Sequence, residues 1–343
     1  MNLPAVSPVD LAGAEALRAQ LDAKAKPLGA LGRIEDLAVR LGLIAGGPPP
    51  TFERALLLVF AGDHGMNAEG VSAYPSAVTQ AMVATFLAGK ASANAFARAV
   101  GADLRVVDAG VDAELAPHPE LTNAKVRRGT RNAAVEPALT LAEAEQALAR
   151  GADIARQALA DGFEILALGE MGIGNTASAA LLMHRLAPAP LAECVGRGAG
   201  HDEAGLARKT AVLERAAARS AATEPLDVLA QFGGLEIAMM AGAIIGAASA
   251  KVPVLVDGFI VSAAALVAIR LVPEAKDYCV FCHRSAEQGH SRLLASVEAD
   301  PLLALDLRLG EGTGALLTLP LVRAASRLLS DVASLDDVLN GRL

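Results

Sequence analysis

Ala55-Leu56-Leu57-Leu58-Val59-Phe60, running straight into Ala61-Gly62-Asp63-His64-Gly65, is the stretch on which the fold turns. A short apolar run that stops at glycines and charged side chains reads as a buried strand followed by a turn. The pattern recurs. Residues 104–107 lead into Asp108-Ala109-Gly110, and residues 164–168 into Gly169-Glu170-Met171-Gly172. Residues 253–256 lead into Asp257-Gly258-Phe259, and residues 279–281 are followed by His283-Arg284-Ser285. Helical patterns separate the runs, which predicts an α/β, Rossmann-like, mostly parallel sheet flanked by helices on both faces. Polar and glycine residues fall at the carboxyl ends of the predicted strands, the edge where open α/β sheets bind ligands. One such turn is ordinary punctuation; five in one chain shift the weight toward a site.

Outside this region the chain reads as helical. Ser7-Pro8-Val9-Asp10 has the form of a helix start, and Leu31, Ile34, Ala38 and Leu41 repeat at helical spacing. Gly46-Gly47-Pro48-Pro49-Pro50 breaks the pattern as a linker. Helical spacing returns from Gly314 onward, and Ser334 with Asp336 and Asp337 resembles another start. The expected organisation is an α/β catalytic domain over residues 51–325. Residues 1–46 and 326–343 would form a small discontinuous helical domain.

Composition narrows the function. Hydrophobic residues make up 53% and charged residues 20%, which affords a large core and argues against bulk disorder. Much of the apolar content is alanine, which predicts closely packed helices. A net charge of −8 without a Lys/Arg run argues against a nucleic-acid partner and leaves small-molecule chemistry. The apolar stretches at 237–250 and 258–269 are too short to span a bilayer, and the N-terminus lacks the pattern of a secretory signal, so the cytoplasm is the expected location.

Two glycine-rich segments could hold an anion. They are Gly169-Glu170-Met171-Gly172-Ile173-Gly174-Asn175-Thr176 and Val195-Gly196-Arg197-Gly198-Ala199-Gly200-His201-Asp202, each preceding a helical stretch. Glycines let a ligand approach the backbone, and a helix start offers free N–H groups. Lys209 could supply a cation. Taken singly, each segment serves equally well as a capped turn. Neither matches the dinucleotide fingerprint, and no Gly-Lys-Ser/Thr P-loop occurs. Cys279 and Cys282, with His283, have the spacing of a haem attachment site, but alternation along a strand would point the two thiols to opposite faces. Asp63, His64 and Ser72 suggest a hydrolase only weakly, because no nucleophile elbow accompanies them. Leu309-Gly310-Glu311-Gly312-Thr313-Gly314 sets one carboxylate among glycines; by spacing alone it is a helix-start residue.

Together these segments resemble the nicotinate-nucleotide–dimethylbenzimidazole phosphoribosyltransferase family. The similarity runs from Pro27-Leu28-Gly29-Ala30-Leu31-Gly32-Arg33, through Ala61-Gly62-Asp63-His64-Gly65, Glu69-Gly70-Val71-Ser72-Ala73-Tyr74-Pro75 and Gly129-Thr130-Arg131-Asn132. It continues through the 169–176 segment, Phe232-Gly233-Gly234-Leu235-Glu236, Val256-Asp257-Gly258-Phe259 and Ser285-Ala286-Glu287-Gln288-Gly289-His290 to the Glu311 segment. The resemblance implies a homodimer that moves the phosphoribosyl group of nicotinate mononucleotide onto a benzimidazole base, without metal or redox cofactor. It implies that Glu311 is the catalytic base and that Ser72 and Gln80 line the benzimidazole pocket. Glu170, Gly172, Gly198, Gly200, Lys209, Ser285 and Gly312 would hold the ribose phosphate and nicotinate. Arg197, Ala199 and His201 depart from the family pattern. The alternatives are a nicotinamide-dependent oxidoreductase, a non-catalytic nucleotide-binding protein, and the same transferase acting on another base.

Overall fold

The computed structural model describes residues 3–198 and 200–343. Among them, six strands build one sheet: β1 (Ala55–Gly62), β2 (Asp103–Gly110), β3 (Leu121–Asn123), β4 (Ile165–Met171), β5 (Val254–Val256) and β6 (Cys279–Phe281). Every pairing is parallel, and the order is β3-β2-β1-β4-β5-β6. All eight residues of β1 are buried, as a central strand covered on both faces requires. The five expected strands are present. The edge strand β3 is an addition to them, because its three residues, none of them buried, carry no apolar run.

Helices cover both faces. On one, α10 (Leu235–Ser249) and α11 (Phe259–Leu271) lie against the strands, with α5 (Leu141–Ala160), α6 (Asn175–Leu186) and α9 (Pro225–Phe232) packed over them. Joined to that layer are α7 (Leu191–Cys194), α8 (Glu203–Arg219) and α12 (His290–Ser296). On the other face lie α3 (Ala77–Leu87), α4 (Ser92–Val100) and α13 (Thr313–Arg327), with α2 (Arg33–Ala45) on α13 and α1 (Ala14–Asp22) on α2. Each face has its own apolar core; Cys279 belongs to one and Cys282 to the other, as strand alternation requires.

The close helix packing suggested by composition is clearest between α5 and α10. A Cβ on Gly151 would overlap the Met239 carbonyl, and one on Gly242 would overlap the carbonyl of Leu148. The two backbones touch there; the first turn of α10 carries Glu236.

The N-terminal start differs from expectation. Asp10, not Ser7, accepts the first free amide, from Ala12 at 2.9 Å, and α1 begins only at Ala14. The Ser7 carbonyl instead accepts the Tyr278 hydroxyl at 2.8 Å, tying that segment to the sheet. At the other end Ser334 caps α14 (Leu335–Leu339), as its spacing predicts, with its hydroxyl accepting the Asp337 amide at 3.0 Å. The two ends meet. Lys24 bridges to Ser334, and the Ala25 amide donates to the Ala333 carbonyl at 2.9 Å.

Candidate active site

The strand order reverses between β1 and β4, and ligands bind at such a switch point in open parallel sheets. The register aligns Phe60 with Glu170 and Leu168 with Val256, so the carboxyl ends of β1, β4 and β5 converge on one edge. A cavity of about 420 Å³ opens there, within the size range of small-molecule sites.

Its floor is acidic. Glu170 is the penultimate residue of β4, Asp257 follows β5 directly, and Glu311 sits in the loop before α13; all three line the cavity and are buried. The Glu311–Gly312 peptide lies flat on Gly169 of β4, where a Cβ would come 2.5 Å from the Glu311 carbonyl oxygen. Glu311 itself has φ +62°, a left-handed conformation that an L side chain adopts at a cost. One of its carboxyl oxygens accepts the Ala93 amide at 3.1 Å, in the first turn of α4. Burial raises the Glu311 carboxyl above the usual carboxylate range; the Ala93 amide opposes the rise and the Asp257 charge adds to it. Asp257 accepts the Gly312 amide at 3.2 Å and the Ala315 amide at 2.9 Å, and its oxygen is 3.6 Å from His283 Nε2.

Glu170 is raised as well. Burial pushes its carboxyl up to about 8 against the pull of the bonded Asn175 amide, and the charges of Asp257, Glu236 and Glu311 contribute to the rise. Glu236 lies beneath. It bonds His64 Nε2 at 2.7 Å, while His64 Nδ1 is 3.0 Å from the Ser178 hydroxyl. Burial opposes a charge on His64, but the charge and hydrogen bond of Glu236, with Asp63, outweigh it and raise the imidazole. The sequence-level pairing of His64 with Ser72 is thus replaced by one with Ser178. That serine is buried within α6, where no substrate reaches it.

One wall is apolar. Tyr74, Val78 and Met82, four apart, present one face of α3 and its approach, and Phe259 and Ile260 stand at the start of α11. The other end is polar, with Gly198, Thr176, Ser285 and Arg308 on its surface. Lys209 is buried just behind the Gly198 turn. Its ammonium donates to Thr176 Oγ1 at 2.8 Å and to the Gly196 carbonyl at 3.0 Å, and a Cβ on Gly198 would be 3.3 Å from it. Burial lowers Lys209 to about 8, with the Glu287 charge opposing.

Of the residues singled out in the sequence, Glu311, Glu170, Gly172, Gly198 and Ser285 line this one cavity. Gly312 and Lys209 stand directly behind its surface. Ser72, whose hydroxyl accepts the Tyr74 amide at 3.2 Å, is beside the wall rather than in it. Gln80 is exposed on α3, turned from the face formed by Val78 and Met82. Gly200 is exposed, and Ala199 lies outside the described residues. Arg197 reaches toward solvent and donates to the His201 carbonyl at 3.0 Å. In the sequence Asp257 and His283 stand at strand ends, and Asp257 falls in a segment that carries the family resemblance, but neither is assigned a role there. Nothing in the sequence points to Arg308.

Comparison with known proteins agrees with this geometry. A family model described as Phosphoribosyltransferase (DBI_PRT) matches residues 6–338. The nicotinate-nucleotide–dimethylbenzimidazole phosphoribosyltransferase of Cupriavidus necator is 53% identical over 335 residues, covering 97% of each chain. That of Ralstonia nicotianae is 55% identical over 332 residues, covering 96% of this chain and 94% of its own. The crystal structure of CobT from Thermus thermophilus superposes with a TM-score of 0.92 at 45% identity, covering 95% of this chain and 98% of that one. No helix among the described residues is long and apolar enough to cross a membrane. The chain belongs to the nicotinate-nucleotide–dimethylbenzimidazole phosphoribosyltransferase family.

Proposed function

We propose that the protein transfers the 5-phosphoribosyl group of nicotinate mononucleotide to 5,6-dimethylbenzimidazole, with Glu311 as the base, giving α-ribazole 5'-phosphate and nicotinate for cobalamin nucleotide-loop assembly. The observation that carries the chemistry is a buried carboxyl group, raised in proton affinity, in the cavity at the sheet edge. The glycosidic nitrogen of the donor is a pyridinium that leaves as a neutral ring nitrogen, so no general acid is needed. The benzimidazole attacks with its bare nitrogen while its N–H must lose a proton. A carboxylate bonded to that N–H takes the proton and orients the ring in one interaction. Attack opposite the leaving group inverts the anomeric carbon and yields the α-riboside.

The apolar wall of Tyr74, Val78 and Met82 suits a flat aromatic ring. The end formed by Gly198, Ser285 and the start of α6, with Lys209 behind, suits a phosphate. Glu170 on its own keeps its proton at neutral pH. A pyridinium or a ribosyl cation beside it would favour the ionised form, and the new charge would stabilise the transition state. The molecule acts as a cytoplasmic homodimer, with residues 1–46 and 326–343 forming a small helical unit beside the catalytic domain. The test is chromatographic: nicotinate mononucleotide and dimethylbenzimidazole go in, and nicotinate and the α-riboside are followed. Glu311→Gln should lower kcat by about 10²–10⁴-fold while still binding the base. Turnover near the wild-type rate would remove Glu311 from the chemistry.

A further inference from the structure

The helix that follows Glu311 has no cap of its own. Its first residues are preceded by Gly312, which has no side chain to offer, yet the amides of Gly312 and Ala315 are both bonded. The acceptor comes from another part of the chain, the carboxylate of Asp257 at the end of β5. The amide at Gly312 belongs to the peptide that Glu311 shares with it. That peptide is pressed against Gly169 on one side and held by Asp257 on the other. A left-handed glutamate persists only where its surroundings over-determine it.

We infer that Asp257 is a positioning residue for the transfer reaction, holding the Glu311 peptide by its hydrogen bonds to Gly312 and Ala315 so that the base stays in register with the acceptor ring. His283 packs beside Asp257, its Nε2 3.6 Å from one carboxyl oxygen. Its ring is wedged between Gly258, where a Cβ would lie 3.0 Å from Nε2, and Gly314, where a Cβ would overlap the ring. Asp257 is faced by His283 and Cys282 from beyond β6 and by Glu170 from β4, while Glu311 is faced by Asp257, Glu170 and the Ala93 amide of α4. The Asp257 charge raises the Glu311 carboxyl, so its removal lowers the pH at which Glu311 gives up its proton.

This inference rests on the reading of Glu311 as the base, and a double-mutant cycle separates the two. Asp257→Asn keeps the shape but replaces one acceptor oxygen with an amide. Its kcat should fall roughly ten- to a hundredfold, the loss expected of a reacting group misplaced by about 1 Å. KM for both substrates should change little, and the acid limb of the kcat–pH profile should move to lower pH. In the Glu311→Gln background the same substitution should have almost no further effect, because the two residues act as one unit. Should the asparagine variant not fold, Asp257→Ser, which keeps a capping oxygen, takes its place in the cycle. A normal kcat with an unmoved acid limb overturns the positioning role alone, as does an undiminished loss in the Glu311→Gln background. Near-normal turnover of Glu311→Gln overturns the base reading and this inference with it.

Discussion

At the scale of single residues, chemistry follows from where water is excluded. Glu311 in isolation is an acidic side chain between glycines, and its spacing fits a helix start as well as a base. The resemblance singles it out; burial, with the Asp257 charge beside it, raises its proton affinity against the opposing pull of the Ala93 amide. Lys209 illustrates the same point with opposite charge. Burial lowers its ammonium to about 8, so the cation near the proposed phosphate site is present below that pH and is lost as pH rises through it. We expect kcat/KM for nicotinate mononucleotide, which reports the free enzyme, to fall above about pH 8. Glu170 also titrates near 8, but its ionisation would favour a cationic substrate and raise kcat/KM, so the signs distinguish the two groups. In Lys209→Gln the value should be low at every pH and the decline should vanish; a decline that persists assigns it elsewhere.

At the scale of elements, glycine in the helices does as much as glycine in the turns. α5 and α10 approach until backbone meets backbone, and Gly242 leaves no room for a methyl group against Leu148. Gly242→Ala improves helix propensity yet should destabilise the protein by about 1–3 kcal/mol, because the overpacked pair must separate. A urea denaturation series would measure it, and an unchanged or raised midpoint would contradict the contact. The strands beneath are readable because each is a short apolar run closed by a turn. β3 is not, since an edge strand paired on one side needs no such run. The first helix begins later than its Ser-Pro signal because the Ser7 carbonyl is engaged by Tyr278, a residue 271 positions away that no local pattern reveals.

At the scale of the whole molecule, the sheet order brings residues 63, 170, 257 and 311 to one edge; Leu3, Val6 and Val9 pack on the core that holds Cys279, while α1, α2 and α13 pack together on the core that holds Cys282. Tyr74 and Leu309, on the cavity wall, remain half-exposed in the single chain, as does Leu31. The proposed homodimer predicts a particle of about twice 34.9 kDa by light scattering on a size-exclusion column. A monomer at micromolar concentration would refute it. The sequence by itself determined five of the six strands, several helices and the edge on which glycine and acid gather, because apolar periodicity and turn chemistry are properties of neighbouring residues. Only the tertiary structure decided that Asp257 holds the Glu311 peptide, that His64 pairs with Glu236 and that Gln80 faces away from the cavity. Those facts depend on strand order and on the exclusion of water from a shared volume, and neither is written in the spacing of residues along the chain.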